Sequence, residues 1–134
     1  MIKQITSTPY DVDKALSIWS ETVPDWTYRD ANRSSWTHDL DGFGHILEDF
    51  QVYNGGRIMK VPTFGAYVAH KDCAPRYHMA IETNKHCFFI YTESRKMIHI
   101  PCDGHIYELD TTQEHSFVNL GKTDRTHLVF RAPE

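Results

Sequence analysis

Residues 76–92 read Arg76-Tyr77-His78-Met79-Ala80-Ile81-Glu82-Thr83-Asn84-Lys85-His86-Cys87-Phe88-Phe89-Ile90-Tyr91-Thr92. Two short runs, 76–82 and 87–92, hold most of the apolar and aromatic residues, and a polar break around Thr83-Asn84 separates them. That is the pattern of two strands joined by a turn. Similar runs occupy 64–70 on one side and 96–100, 105–109, 116–120 and 126–131 on the other. Gly, Pro, Asn or Asp stands in several of the gaps. Tyr53-Asn54-Gly55-Gly56-Arg57 has the chemistry of a hairpin turn. About seven or eight short strands at this spacing predict a mainly β fold, an antiparallel sandwich or barrel such as a jelly roll. Its β core is expected over about 51–132.

Ahead of this core, Thr8-Pro9-Tyr10-Asp11 has the form of a helix start. Thr8 can cap, Pro9 suits the first helical position, and Asp11 completes a capping-box-like pattern. Val12, Ala15, Leu16, Trp19 and Val23 follow at helical spacing, and Pro24 ends the run. One amphipathic N-terminal helix is therefore expected over about 9–22, packed outside the β core. Residues 25–50 show no clear period. They carry Trp26, Tyr28, Trp36 and Phe43, with a turn expected at Asp41-Gly42-Phe43-Gly44.

A length of 134 residues suits one domain, expected over 1–134, and is enough to bury a sizeable core. Net charge is −4 and the pI about 6.1, so no basic face is offered to nucleic acid. No apolar run is long enough to span a bilayer, and the start MIKQITSTPYDVD lacks a signal-peptide core. Neither a membrane nor a nucleic-acid partner is expected. Cys73, Cys87 and Cys102 are odd in number and without CxxC spacing, which fits free thiols in a reducing cytoplasm.

The chemistry concentrates in four places: His70-Lys71-Asp72, Arg76-Tyr77-His78, Glu114-His115 and Arg125. Residues two apart on a strand share a face, so His70 and Asp72 can converge on one ion at a strand end. His115 follows the polar stretch Asp110-Thr111-Thr112-Gln113-Glu114 and starts an apolar run, which puts it at a strand start. Two imidazoles and one carboxylate form the donor set of a catalytic iron(II) site that keeps positions open for oxygen and a co-substrate. The three should meet at one mouth of the barrel. Arg125, ten residues beyond His115, could anchor a dicarboxylic co-substrate through two parallel charge-assisted hydrogen bonds. Arg76 and His78 share a face by the two-residue rule and suit anion binding.

These residues, in this order, resemble the aspartyl/asparaginyl β-hydroxylase-like branch of the 2-oxoglutarate oxygenases, which includes bacterial proline hydroxylases. The resemblance covers about 64–131: His70-Lys71-Asp72, then Arg76-Tyr77-His78-Met79-Ala80-Ile81-Glu82-Thr83-Asn84, then Glu114-His115-Ser116-Phe117-Val118-Asn119, then Arg125. It implies a double-stranded β-helix, a cupin-like jelly roll. It implies Fe(II) held by His70, Asp72 and His115, with 2-oxoglutarate as co-substrate and O2 as oxidant. Arg125 would take the distal carboxylate, and Arg76 and His78 match positions that help hold the co-substrate in some members. Retention of Asp72 favours hydroxylation over halogenation. The substrate does not carry over; a free amino acid, a residue of a protein and another small metabolite all remain open.

Other readings stand beside this one. His78 could be a third imidazole on the metal. Glu114 could supply the carboxylate, although adjacent strand residues face opposite ways. His99, His105 and His127 are expected to be structural. His86 and Cys87 lack a second pair at zinc-finger spacing. Trp26, Tyr28 and Trp36 could form a lid or pack the helix onto the sheet, and Asn119 could shape its strand. As a whole the chain could also be a cupin-like metalloenzyme that does not use 2-oxoglutarate, or a jelly-roll binding module without turnover.

Overall fold

The computed structural model describes residues 2–30 and 33–133. Ten strands are named in chain order: β1 (Ile2–Gln4), β2 (Trp26–Arg29), β3 (Ser35–Thr37), β4 (Arg57–Val61), β5 (Arg76–Glu82), β6 (Cys87–Tyr91), β7 (Met97–Ile98), β8 (Tyr107–Leu109), β9 (His115–Asn119) and β10 (Arg125–Arg131). They form a seven-stranded sheet, in the order β1-β8-β5-β10-β4-β3-β2, and a three-stranded sheet, β7-β6-β9. The named pairings are antiparallel. Residues 66–70 run along the free edge of β9 through bridges Ala66↔Val118 and His70↔His115. The chain thus crosses repeatedly between two facing sheets. This is a jelly roll, as the strand spacing predicts.

Side-chain alternation explains both layers of the core. Cys87, Phe89, Tyr91 and Phe117 of the small sheet meet Val61, Tyr107 and Leu109 of the large one. The other face of the large sheet presents Ile58, Met79, Ile81, Leu128 and Phe130 to Ala15, Phe43, Ile46 and Leu47. Those last residues belong to α1 (Val12–Glu21), α2 (Gly44–Leu47) and the bend before α2. Each fully buried Phe, Ile or Leu contributes roughly 1.5–3 kcal/mol. No described helix is long and apolar enough to cross a membrane.

Some boundaries differ from expectation, each for a local reason. The helix starts at Val12, not at 9. Asp11 is the cap, its Oδ1 accepting from the Lys14 amide at 3.0 Å. Tyr10 is held out of the helix because its amide donates to the Gly104 carbonyl at 2.9 Å. Gly104 has φ +82°, and a Cβ there would run into the Tyr10 carbonyl. Tyr53-Asn54-Gly55-Gly56-Arg57 is not a hairpin. It links the 3-10 turn Glu48–Phe50 to β4, whose partners are β3 and β10. The run at 64–70 is an irregular arm: Phe64 sits at φ 57°, and Gly65 packs so closely that a Cβ would lie 2.8 Å from the carbonyls of Arg33 and Pro62. Residues 25–50, unassigned from sequence, supply β2, β3 and α2. The large sheet therefore reaches beyond the expected 51–132 core, and β1 caps its other edge.

Candidate metal centre

The bridge between the 66–70 arm and β9 sets the geometry. His70 and His115 exchange both backbone hydrogen bonds at 3.0 Å, which puts them side by side at one end of the small sheet. Asp72 is steered to the same place by its amide, which donates to the Thr111 carbonyl at 2.8 Å. Asp72 Oδ1 then lies 3.4 Å from His70 Nε2, and Oδ2 lies 3.7 Å from His115 Nε2. All three donor atoms fall within 4.8 Å of one another. Donors each about 2.1 Å from one ion stand about 3.0–3.4 Å apart at octahedral or tetrahedral angles, so the spacing suits a shared metal. Among the described residues this trio is the only such group of His, Cys, Asp or Glu.

The histidine tautomers agree with that use. His70 Nδ1 is 2.7 Å from the Val68 carbonyl and His115 Nδ1 is 2.8 Å from the Gln113 carbonyl. A carbonyl only accepts, so each Nδ1 carries the proton and each Nε2 presents a lone pair to Asp72's neighbourhood. His115 is also stacked on Phe89, with centroids 4.9 Å apart and planes at 14°. Burial, its largest influence, lowers its pKa and favours the neutral ring that a metal needs.

Behind the trio lies a small chamber lined by Arg57, Met59, Tyr67, Arg76, His78, Phe89 and Val129, among others. Alternation along β5 and β10 builds its rear wall. Arg76 and His78 of β5 share a face, and Arg125, His127 and Val129 of β10 share the face beside it. Arg76 Nε lies 3.9 Å from Asp72 Oδ2. His78 does not join the trio: its Nδ1 lies 3.1 Å from His127 Nδ1. Both imidazoles have pKa values well below the usual range, first through burial and then through the charge of Arg125.

Arg125 is 0% exposed. Its Nη1 makes one long hydrogen bond, 3.5 Å, to the Met59 carbonyl, while Nε and Nη2 have no partner. The guanidinium lies over the Phe117 ring, 3.8 Å from its centroid. Burial pulls its pKa down to about 10, so the charge is retained at neutral pH. Tyr67 lies near enough for its field to act on Arg125, and burial keeps the Tyr67 phenol protonated. His127 Nε2 is also buried without a partner.

The remaining sequence candidates fall away from the chamber. Glu114 turns from the trio to accept from the Thr92 hydroxyl. His99 bonds the Cys87 carbonyl at 3.0 Å and His105 the Thr6 hydroxyl at 3.1 Å. Asn119, buried, ties β9 to the Val61 and Thr123 carbonyls. The aromatic residues divide. Trp26 packs edge-on against Trp19 of α1, whereas Tyr28 stacks on Trp36 at 4.4 Å beside the site. A register shift between Trp26 and Tyr28 allows this. Sequence reasoning missed Tyr67 and Arg57, which line the chamber. His127, expected to be structural, pairs with His78.

No protein-family profile matches the chain. No curated protein matches it either. Solved structures do. A cupin domain from Bordetella pertussis Tohama I aligns with TM-score 0.51 at 12% identity, covering 84% of this chain and 93% of that one. Drosophila melanogaster CENP-C, solved bound to CAL1, aligns at 0.52 and 10% identity, covering 90% and 93%. The Escherichia coli ribosomal oxygenase YcfD aligns at 0.52 and 12% identity over 100% of this chain, which spans only 48% of YcfD. At these identities the likeness establishes the fold, a cupin-like jelly roll.

Proposed function

We propose that the protein is an Fe(II)- and 2-oxoglutarate-dependent dioxygenase, a hydroxylase acting on an amino acid or an amino-acid residue of a protein. The observations that carry this reading are the His-Asp-His trio and the fully buried Arg125 guanidinium, which has two unpartnered nitrogens and bonds the carbonyl of Met59, a residue of the chamber. A buried cation without hydrogen-bond partners costs several kcal/mol, and a carboxylate would offset that cost.

His70, Asp72 and His115 would hold the metal. Bound iron and 2-oxoglutarate would supply oxygen-activating chemistry. Arg125 would take the distal carboxylate of the co-substrate in a two-point contact, and the protonated Tyr67 hydroxyl could donate to the same group. Met59, Phe89 and Val129 would exclude water from the chamber they line. Arg76, beside Asp72, and His78 would orient the end of the co-substrate nearer the metal.

The test is to incubate iron-loaded protein aerobically with 2-oxoglutarate and a metabolite and peptide pool. Succinate should form, and one component should gain the mass of one oxygen. Failure to consume 2-oxoglutarate above the iron-only background would refute the reading. A second reading is a jelly roll that binds a partner without turnover, as CENP-C solved bound to CAL1 illustrates for this fold. It predicts no succinate and leaves the trio and the unpartnered guanidinium without a role.

A further inference from the structure

A second cavity, of about 440 Å³, opens outside the trio. Its walls come from the β2-β3-β4 edge of the large sheet and from the 66–70 arm: Tyr28, Trp36, Arg57, Met59, Tyr67 and Val68, with His70 and Asp72 at its floor. Its volume suits a small molecule. The walls are mainly apolar, with Arg33, Ser34 and Arg57 as polar side chains among them. Arg57 lines both this cavity and the inner chamber, so it stands where the two meet. Its guanidinium lies over Trp36, 5.5 Å from the ring centroid. Among the described residues no carboxylate lies within 4.0 Å of it, and no side-chain hydrogen bond from it is found.

The charge balance makes this arginine unusual. Arg33, Arg57 and Arg76 line the two cavities, whose only carboxylate among the lining residues is Asp72, and Arg33 lies 3.9 Å from Asp30. Arg76 is beside Asp72 at 3.9 Å and reaches the Ala74 carbonyl at 3.4 Å. Arg125 is buried against Met59, a residue of the chamber, and is not itself among the residues that line it. Burial and the nearby charge of Arg76 press the pKa of Arg57 down, and the field of Asp72, which makes no contact with it within 4.0 Å, opposes them. A divalent metal with a dianionic co-substrate would leave this positive excess in place.

We propose that the outer cavity is the primary-substrate site and that it takes a small carboxylate-bearing molecule, its carboxylate on Arg57 and its flat or apolar body against Trp36 and Tyr28. This assignment rests on the proposed dioxygenase reading, because it gives Arg125, not Arg57, to the co-substrate. Arg57 is then the residue that selects for charge. A planar guanidinium held by an indole face offers a carboxylate two parallel donors. Met59, Val68 and the aromatic faces give the body of the ligand an apolar bed, and Arg57 supplies the charge selection at the carboxylate end.

The experiment uses protein loaded with Mn(II) and 2-oxoglutarate under anaerobic conditions, with binding read by tryptophan fluorescence and calorimetry. The probes are the twenty protein amino acids as free acids, their primary amides, and a capped peptide with an internal aspartate. At least one free acid should bind, and its amide about tenfold to a hundredfold more weakly. In Arg57→Met the preference for acid over amide should fall toward one, and Arg57→Lys should restore part of it. Equal binding of acid and amide to the wild type, or an undiminished preference in Arg57→Met, would overturn the assignment. So would binding of the capped peptide as tight as that of the best free acid, which would make the substrate a protein side chain. A fall in 2-oxoglutarate affinity in Arg57→Met as large as the fall for the acid would give Arg57 to the co-substrate instead. Failure of 2-oxoglutarate itself to bind the wild type would remove the dioxygenase reading. Its binding without any acid binding would sink this inference alone.

Discussion

A guanidinium buried over Phe117, with Nε and Nη2 unpartnered, is a stability defect unless something binds it. Arg125 therefore allows two opposite expectations in one variant. Arg125→Met removes a buried charge and keeps most of the volume. The ligand-free variant should be as stable as the wild type or more stable, by about 1–3 kcal/mol in urea denaturation. It should also lose 2-oxoglutarate affinity by about 2–5 kcal/mol while keeping metal affinity. A variant that is much less stable would mean the guanidinium serves the fold, and unchanged co-substrate affinity would mean it serves something else. At this scale the sequence was legible where motif order spoke. The spacing of His70, Asp72, Arg76, His78 and His115 picked out residues that the fold gathers around one small chamber, while Arg125 is buried against Met59 of that chamber. Tyr67 and Arg57 were hidden, because each is an ordinary residue in an ordinary strand-like run. Only the two-sheet arrangement turns them toward the site.

Elements were legible in proportion to how completely they are buried. The run at 76–82 matches β5, and 87–92 exceeds β6 by one residue, because both strands face the core and carry the apolar pattern throughout. β1 and β2 are short, exposed edge strands, so their own residues carry little signal, and the partner of β1 lies far along the chain in β8. The sequence reading made Thr8 the cap and Asp11 its capping-box partner, whereas the tertiary bond from Tyr10 to Gly104 holds Tyr10 outside and leaves Asp11 as the cap. Asp11→Ala should accordingly cost about 1 kcal/mol of stability, whereas Thr8→Ala should cost little. Equal losses in urea titrations would contradict the observed cap. Strands β5 and β10 also share the His78–His127 pair. Both imidazoles are held neutral, with pKa values far below the ordinary value of about 6.5. As pH falls below about 6.5 the unfolded chain takes up protons at these two positions and the folded chain does not. Stability therefore drops with falling pH, by up to about 1.4 kcal/mol per pH unit for each ring. Metal-free protein should show this between pH 6.5 and 5, and His127→Gln should flatten the slope. A wild-type profile that stays level over that range would show that the two rings are not held neutral.

For the whole molecule, the jelly roll followed from strand spacing, while the extension of its large sheet by β2 and β3 did not. That extension matters because it converts one mouth of the barrel into a cleft with Tyr28, Trp36 and Arg57 on its wall. The fold has two faces available to it, the α1-covered outer layer for stability and the inner layer for chemistry. Among the described residues the buried charge is Arg125, on the inner layer. A ligand that binds the native state alone raises stability by mass action, so site and fold are linked in one measurement. The central claim is that metal and co-substrate meet at the His70-Asp72-His115 end, with Asp72 holding the metal and Arg125 the distal carboxylate. Anaerobic calorimetric titration of 2-oxoglutarate into metal-free protein, Mn(II)-loaded protein and Mn(II)-loaded Asp72→Ala tests it directly. The expected result is saturable binding of one co-substrate per chain in the Mn(II)-loaded wild type, at least tenfold weaker without metal and in Asp72→Ala. No binding to the Mn(II)-loaded wild type, or binding indifferent to both metal and Asp72, would contradict it.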